Sequence, residues 1–187
     1  IGVNEHNLSN SGSTYVAWAW KGNGGTTSTD TNGGYNTTVQ VNSDAKMSIV
    51  TYTGTGGTSP SATTIGHGLG VIPKAIIIRA RNRTEDWHWF HYRSGTGGFR
   101  GNEADAHNNN TVLGDTLPTT TLYKLGTDLR MNGGYNYVAY CFADVQGFSK
   151  FGDYYGNGAS TEGPFVYTGF KPRFVIIKND ETGSRNF

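Results

Sequence analysis

Pro73-Lys74-Ala75-Ile76-Ile77-Ile78-Arg79 returns as Pro172-Arg173-Phe174-Val175-Ile176-Ile177-Lys178, with proline, a basic residue, three successive aliphatics and a closing basic residue in matching places. Proline fixes φ and lacks an amide hydrogen, so it opens a strand more readily than it sits inside one. Three aliphatics in a row make a strand apolar on both faces, which is the pattern of a central strand covered on each side. Both copies are therefore expected as buried strands.

Two further echoes lie around this one. Tyr15-Val16-Ala17-Trp18 returns as Tyr137-Val138-Ala139-Tyr140. More loosely, Ser48-Ile49-Val50 leading to Gly54-Thr55-Gly56 returns as Ser149-Lys150-Phe151 leading to Gly156-Asn157-Gly158. The echoes keep one order along the chain, the mark of duplicated modules. The sequence opens on Ile1 with no charged-then-apolar leader to read. It closes at Phe187, where the earlier copy reaches Trp87-His88-Trp89-Phe90. The expected organisation is a piece of a longer chain: residues 1–20 end a preceding repeat, 21–146 form a central β module, and 147–187 start the next repeat. Pseudo-symmetry inside one domain is the alternative.

Composition points the same way. The chain has 187 residues, enough to bury a core, with 28 glycines, 13% aromatic residues and only 16% charged ones. Helix formers are scarce, whereas β-branched and aromatic residues joined by Gly/Asn turns are plentiful. Strands are expected at 14–20, 37–41, 46–53, 74–79, 87–92, 122–125, 137–142, 165–168 and 173–178. The fold class that follows is all-β: an antiparallel β-sandwich or jelly-roll-like module with an internal repeat, with a propeller-like repeat as second choice. The polar stretch 102–121 reads as the longest surface loop.

A formal net charge of +1 provides no electrostatic footprint for nucleic acid. No apolar run reaches the length of a bilayer span. The single cysteine, Cys141, cannot form an intrachain disulfide and reads as a small core filler. Such a chain suits assembly in a reducing cytoplasm.

The candidate site is Glu85-Asp86-Trp87-His88-Trp89-Phe90-His91-Tyr92. As a strand it places Trp87, Trp89 and His91 on one face and His88, Phe90 and Tyr92 on the other. An exposed ladder of rings would stack on sugar faces, and Trp87, Trp89 and Tyr92 are the glycan-binding candidates. A strand inside a sandwich would use the same residues to fill its core.

His88 and His91 point to opposite faces and so suit no shared metal, and His67, between two glycines, is expected to hydrogen-bond within its loop. Asp30-Thr31-Asn32-Gly33 and Asp153 with Asn157 supply oxygen donors in turns, but Val41 stands where a calcium loop needs its Glu, so Asx turns are expected. No nucleophile elbow or phosphate loop is present. Glu103 and Asp105 are the nearest thing to a carboxylate pair. No enzyme, metal or cofactor is expected from these residues.

Met47-Ser48-Ile49-Val50-Thr51-Tyr52-Thr53-Gly54, followed by Gly66-His67-Gly68-Leu69-Gly70-Val71-Ile72-Pro73-Lys74, resembles a β-rich repeat family of structural and tail-fibre-like proteins from tailed, often marine, bacteriophages. Tyr137-Val138-Ala139-Tyr140-Cys141-Phe142-Ala143, Phe148-Ser149-Lys150-Phe151-Gly152 and Gly163-Pro164-Phe165-Val166-Tyr167-Thr168-Gly169-Phe170 are similar to the same family. The resemblance spans most of 15–178 and is weakest across 102–121. Arg79-Ala80-Arg81 departs from the Lys-Asn ending that Lys178-Asn179 keeps.

The resemblance implies a non-enzymatic virion protein in a fibre, appendage or capsid decoration. It would be assembled in the host bacterial cytoplasm with copies of itself and other virion proteins, and would contribute to host-surface attachment. The alternative is a carbohydrate-binding module for host surface polysaccharide, and a depolymerase using Glu103 and Asp105 stands third. Neither nucleic-acid binding nor membrane insertion is expected.

Overall fold

The structure, a computed structural model, describes residues 11–56, 63–103, 113, 114 and 116–180. The chain is nearly all β. Its strands are β1 (Ser28–Asp30), β2 (Thr37–Asn42), β3 (Met47–Thr53), β4 (Thr64–Gly66), β5 (Ala75–Ala80), β6 (His88–His91), β7 (Phe99–Arg100), β8 (Leu122–Lys124) and β9 (Asn136–Phe142). One helical turn, α1 (Leu129–Asn132), precedes β9. Seven strands form an antiparallel sheet in the order β1-β2-β3-β9-β5-β6-β7, and β4 pairs with β8 in a small second sheet.

The last strand in sequence lies at the centre of the large sheet. β9 enters between β3 and β5, setting Val50 and Ile78 on either side of Ala139, and Ile49 and Ile77 on either side of Tyr140. Because side chains alternate, this register sorts the sheet into two faces. The inner face carries Val39, Val50, Ala139, Ile78, Cys141, Ile76 and Phe90, all buried. The small β4–β8 sheet and its loops cover it with Ile65, Leu69, Tyr123, Leu125 and Met131, and Leu113 completes this core. Each aliphatic or aromatic side chain so buried contributes roughly 1.5–3 kcal/mol. Two unequal β layers over one core make a sandwich.

β5 is as central as its three isoleucines predict, and Cys141 is buried within the core cluster. Burial pushes the Cys141 thiol up to about 12, so it stays protonated and inert. His67 bonds inside its loop as expected, its Nδ1 accepting from the Leu69 amide at 3.1 Å, and also reaches beyond the loop, its Nε2 lying 3.2 Å from the Thr119 carbonyl. Asp30 makes an Asx turn, its Oδ1 accepting from the amide and the side chain of Asn32 at 2.8 and 2.9 Å. Gly66 permits this turn, since a Cβ there would lie 2.2 Å from that same oxygen.

Three expected strands do not appear. Residues 14–20, 165–168 and 173–178 join no ladder among the described residues, although 15–18 repeat the start of β9 and 172–178 repeat the segment of β5. Composition makes a segment ready to pair, but a strand exists only where a neighbour takes up its amides and carbonyls. These stretches also leave Val16, Trp18, Phe165, Tyr167 and Val175 exposed, so the second Ile-rich segment is not buried. The stretch 102–121 is not simply surface loop, because Leu113 is fully buried, with its amide on the Thr96 carbonyl. Asp105 lies outside the described residues.

Candidate functional site

The outer face of the large sheet holds the aromatic candidates. One row crosses six strands as Gln40, Ile49, Tyr140, Ile77, Trp89 and Phe99, each directly opposite the next. Most of this face is half-buried rather than sealed. Trp87 and Trp89 share it, while His88 and Phe90 turn inward, so the expected alternation along β6 holds. Tyr92 departs from it: the strand ends at His91, and Tyr92–Ser94 turns as a 3-10 helix.

Each candidate ring already has protein neighbours. The Arg79 guanidinium stands 4.9 Å over Trp87, and Tyr140 lies 6.4 Å away. Trp89 packs on Phe99 at 6.1 Å, with its indole edge over Gly101, where a Cβ would come within 2.1 Å of Nε1. Tyr92 is the most exposed of the three, yet Lys74 Nζ sits 4.3 Å above its ring, and its hydroxyl donates to Asp153 at 2.7 Å. That hydrogen bond raises the Tyr92 hydroxyl pKa. Arg93 pairs with the same carboxylate at 3.3 Å and also donates to the Tyr155 hydroxyl. The three rings thus lie along one edge of the sheet without forming a single open platform.

Sequence reasoning did not find the groups that hold Tyr92. Asp153 and Tyr155 lie about sixty residues along the chain, and nothing local to either announces the contact. Residues 149–178 return across the outer face, where Phe151 packs on Phe142 at 5.6 Å and Lys178 Nζ donates to the Glu103 carbonyl at 2.6 Å. Glu103 therefore meets the chain through its backbone.

Charges gather at the start of β6. Asp86 accepts from Asn102 at 2.8 Å and from Arg100 at 3.1 Å, and these bonds, Asn102's foremost, hold its carboxyl below the usual range. Burial alone would raise Asp128, but Arg130, bound to both its oxygens, outweighs that and lowers it. His88 is buried beside them, and burial, helped by Arg130, lowers its pKa, so it is neutral at pH 7. Each carboxylate here faces an arginine or an amide, the arrangement of a structural brace. Among the described residues, no three His, Cys, Asp or Glu side chains group as metal ligands.

The profile of a domain of unknown function, DUF7483, matches residues 1–186. The chain belongs to the DUF7483 family. No curated protein and no solved structure matches it. In this DUF7483 domain, no helix among the described residues is long and apolar enough to cross a membrane.

Proposed function

We propose that this DUF7483 domain is a non-enzymatic structural module of a bacteriophage virion, in a fibre, an appendage or a capsid decoration. It assembles there with copies of itself and other virion proteins, and contributes to host-surface attachment. One observation carries the assembly part: the run Phe165, Val166 and Tyr167 stands exposed beyond the sheet, as do Phe148 and Tyr155. Large apolar side chains exposed in such a run mark a contact with other polypeptide. The likeness of 47–54, 66–74 and 137–143 to phage tail-fibre-like repeats supplies the setting. Mass spectrometry of purified particles from a phage encoding the chain tests this. Peptides at a fixed stoichiometry to the capsid protein are expected; presence in infected cells but not in particles would sink it.

Carbohydrate binding is the second reading, favoured by the partial exposure of the Tyr92 ring beside the Trp87–Trp89 edge. Titration with host polysaccharide fragments should then change tryptophan emission in the parent chain and not in Trp87→Ala. An unchanged spectrum in the parent chain would remove this reading.

A further inference from the structure

We propose that Tyr15-Val16-Ala17-Trp18-Ala19-Trp20 pairs as an antiparallel strand with residues 173–178 of the same chain, in the register that β9 holds against β5. The argument starts from what each stretch copies. Residues 15–20 follow β9 position by position, from Tyr137 to Phe142, keeping Tyr-Val-Ala and an aromatic at the fourth and sixth places. Residues 172–178 follow 73–79, which hold β5. In the large sheet β9 and β5 are neighbours. The described residues before β1 therefore carry a copy of β9, and those after β9 carry a copy of its neighbour β5.

Register makes the idea specific. β5 sets Ala75 opposite Phe142, Ile76 opposite Cys141, and Ile77 opposite Tyr140. Transferred to the copies, Phe174 faces Trp20, Val175 faces Ala19, and Ile176 faces Trp18. The structure carries an independent trace of this arrangement. The Phe174 ring lies 6.2 Å from Trp20 and 5.1 Å from Trp18, its opposite and diagonal neighbours in that register. Side-chain parity agrees as well. Trp18, Trp20 and Phe174 correspond to Tyr140, Phe142 and Ala75, which share the outer face. Trp20 in turn meets Phe142 at 6.3 Å, so the two like faces are turned toward one another.

Closure would cover what is now open. Trp18 is 62% exposed, Val175 61% and Ile177 56%, in segments able to offer each other a full ladder. Both ends belong to one chain and already touch, so their effective concentration favours pairing within the chain over exchange between copies.

The first test is a cysteine pair, Ala19→Cys with Val175→Cys, in the 187-residue chain. Cys141 is buried and stays out of the reaction. Disulfide geometry is strict, so oxidation within monomers should run at least about tenfold faster than in a slipped control, Ala17→Cys with Val175→Cys. Equal rates, or disulfide-linked dimers, would overturn the proposal. Hydrogen exchange on the unsubstituted chain needs no variant to fold. Alternate amides between Val16 and Ala19 should exchange at least about 100-fold slower than a free peptide, because a strand paired on one side bonds every second residue. Exchange at the free-peptide rate, or protection that vanishes on dilution, would equally overturn it.

Discussion

Tyr52 and Tyr137 face each other across β3 and β9 with rings stacked 5.1 Å apart, and both send their hydroxyls to carbonyls of the same helical turn. Tyr52 donates to Met131 at 2.9 Å and Tyr137 to Leu129 at 3.0 Å, while the Gly133 amide donates to Tyr137 at 3.0 Å. The pair thus fixes α1 over the inner face of the sheet, using polar atoms that burial would otherwise leave costly.

Removing one of these hydroxyls should be felt, whereas removing a neighbouring one should not. Tyr137→Phe is expected to lose about 1–2 kcal/mol by urea unfolding, because the Leu129 carbonyl and Gly133 amide lose a partner. Tyr123 is also buried, but among the described residues its hydroxyl has no hydrogen-bond partner. Tyr123→Phe should leave stability unchanged or raise it slightly. Equal losses for the two variants would contradict this assignment.

Gly101 seats Trp89. Gly101→Ala would drive a methyl into the indole, with Phe99 closing the other side. A loss of about 1–3 kcal/mol is expected from such overpacking, together with a red shift in tryptophan emission as the ring is displaced. An unshifted spectrum at unchanged stability would show that the ring has room the structure does not give it.

Acid should weaken the fold through its histidines. Burial is the foremost cause lowering His67, His88 and His91 below the ordinary 6.5. The unfolded chain then binds protons more readily than the folded one. The stabilising contribution of these neutral rings is complete above about pH 6.5 and is lost as pH falls through their folded values. Urea midpoints should drop between about pH 7 and pH 5, and a flat profile across that window would refute the expectation.

Calcium should not matter at Asp30. Its Oδ1 already takes two donors from Asn32 within its own turn. Adding millimolar calcium or a chelator should leave the thermal midpoint where it was, since a ligand bound to the folded state alone would raise it.

How much of this could be read beforehand depended on how locally each element is determined. β3, β5 and β9 announce themselves through runs such as Ile76-Ile77-Ile78 and Tyr137-Val138-Ala139, and the inward turn of Phe90 followed from alternation alone. β1 and β7 are Ser-Thr-Asp and Phe-Arg, too short and polar to show any period, and their neighbours' open edges hold them in place. The central position of β9 was not legible, because pairing partners so far apart in sequence are chosen by the whole sheet. At 173–178 a string like that of β5 joins no ladder of the large sheet, where β5 already holds that place. Around the candidate rings, the residue types were legible, but the partners that Arg79, Lys74 and Asp153 make of them were not.

The large sheet begins with the three residues of β1 and ends with the two of β7. A visiting strand at either margin would find too few free amides and carbonyls to zip onto, which is how natural sheets resist sideways fusion. Lateral growth into fibrils is therefore discouraged by the shape of the sheet itself. Any orderly polymer of this molecule would then add its units through the faces of the sheet, along a direction that the margins leave open.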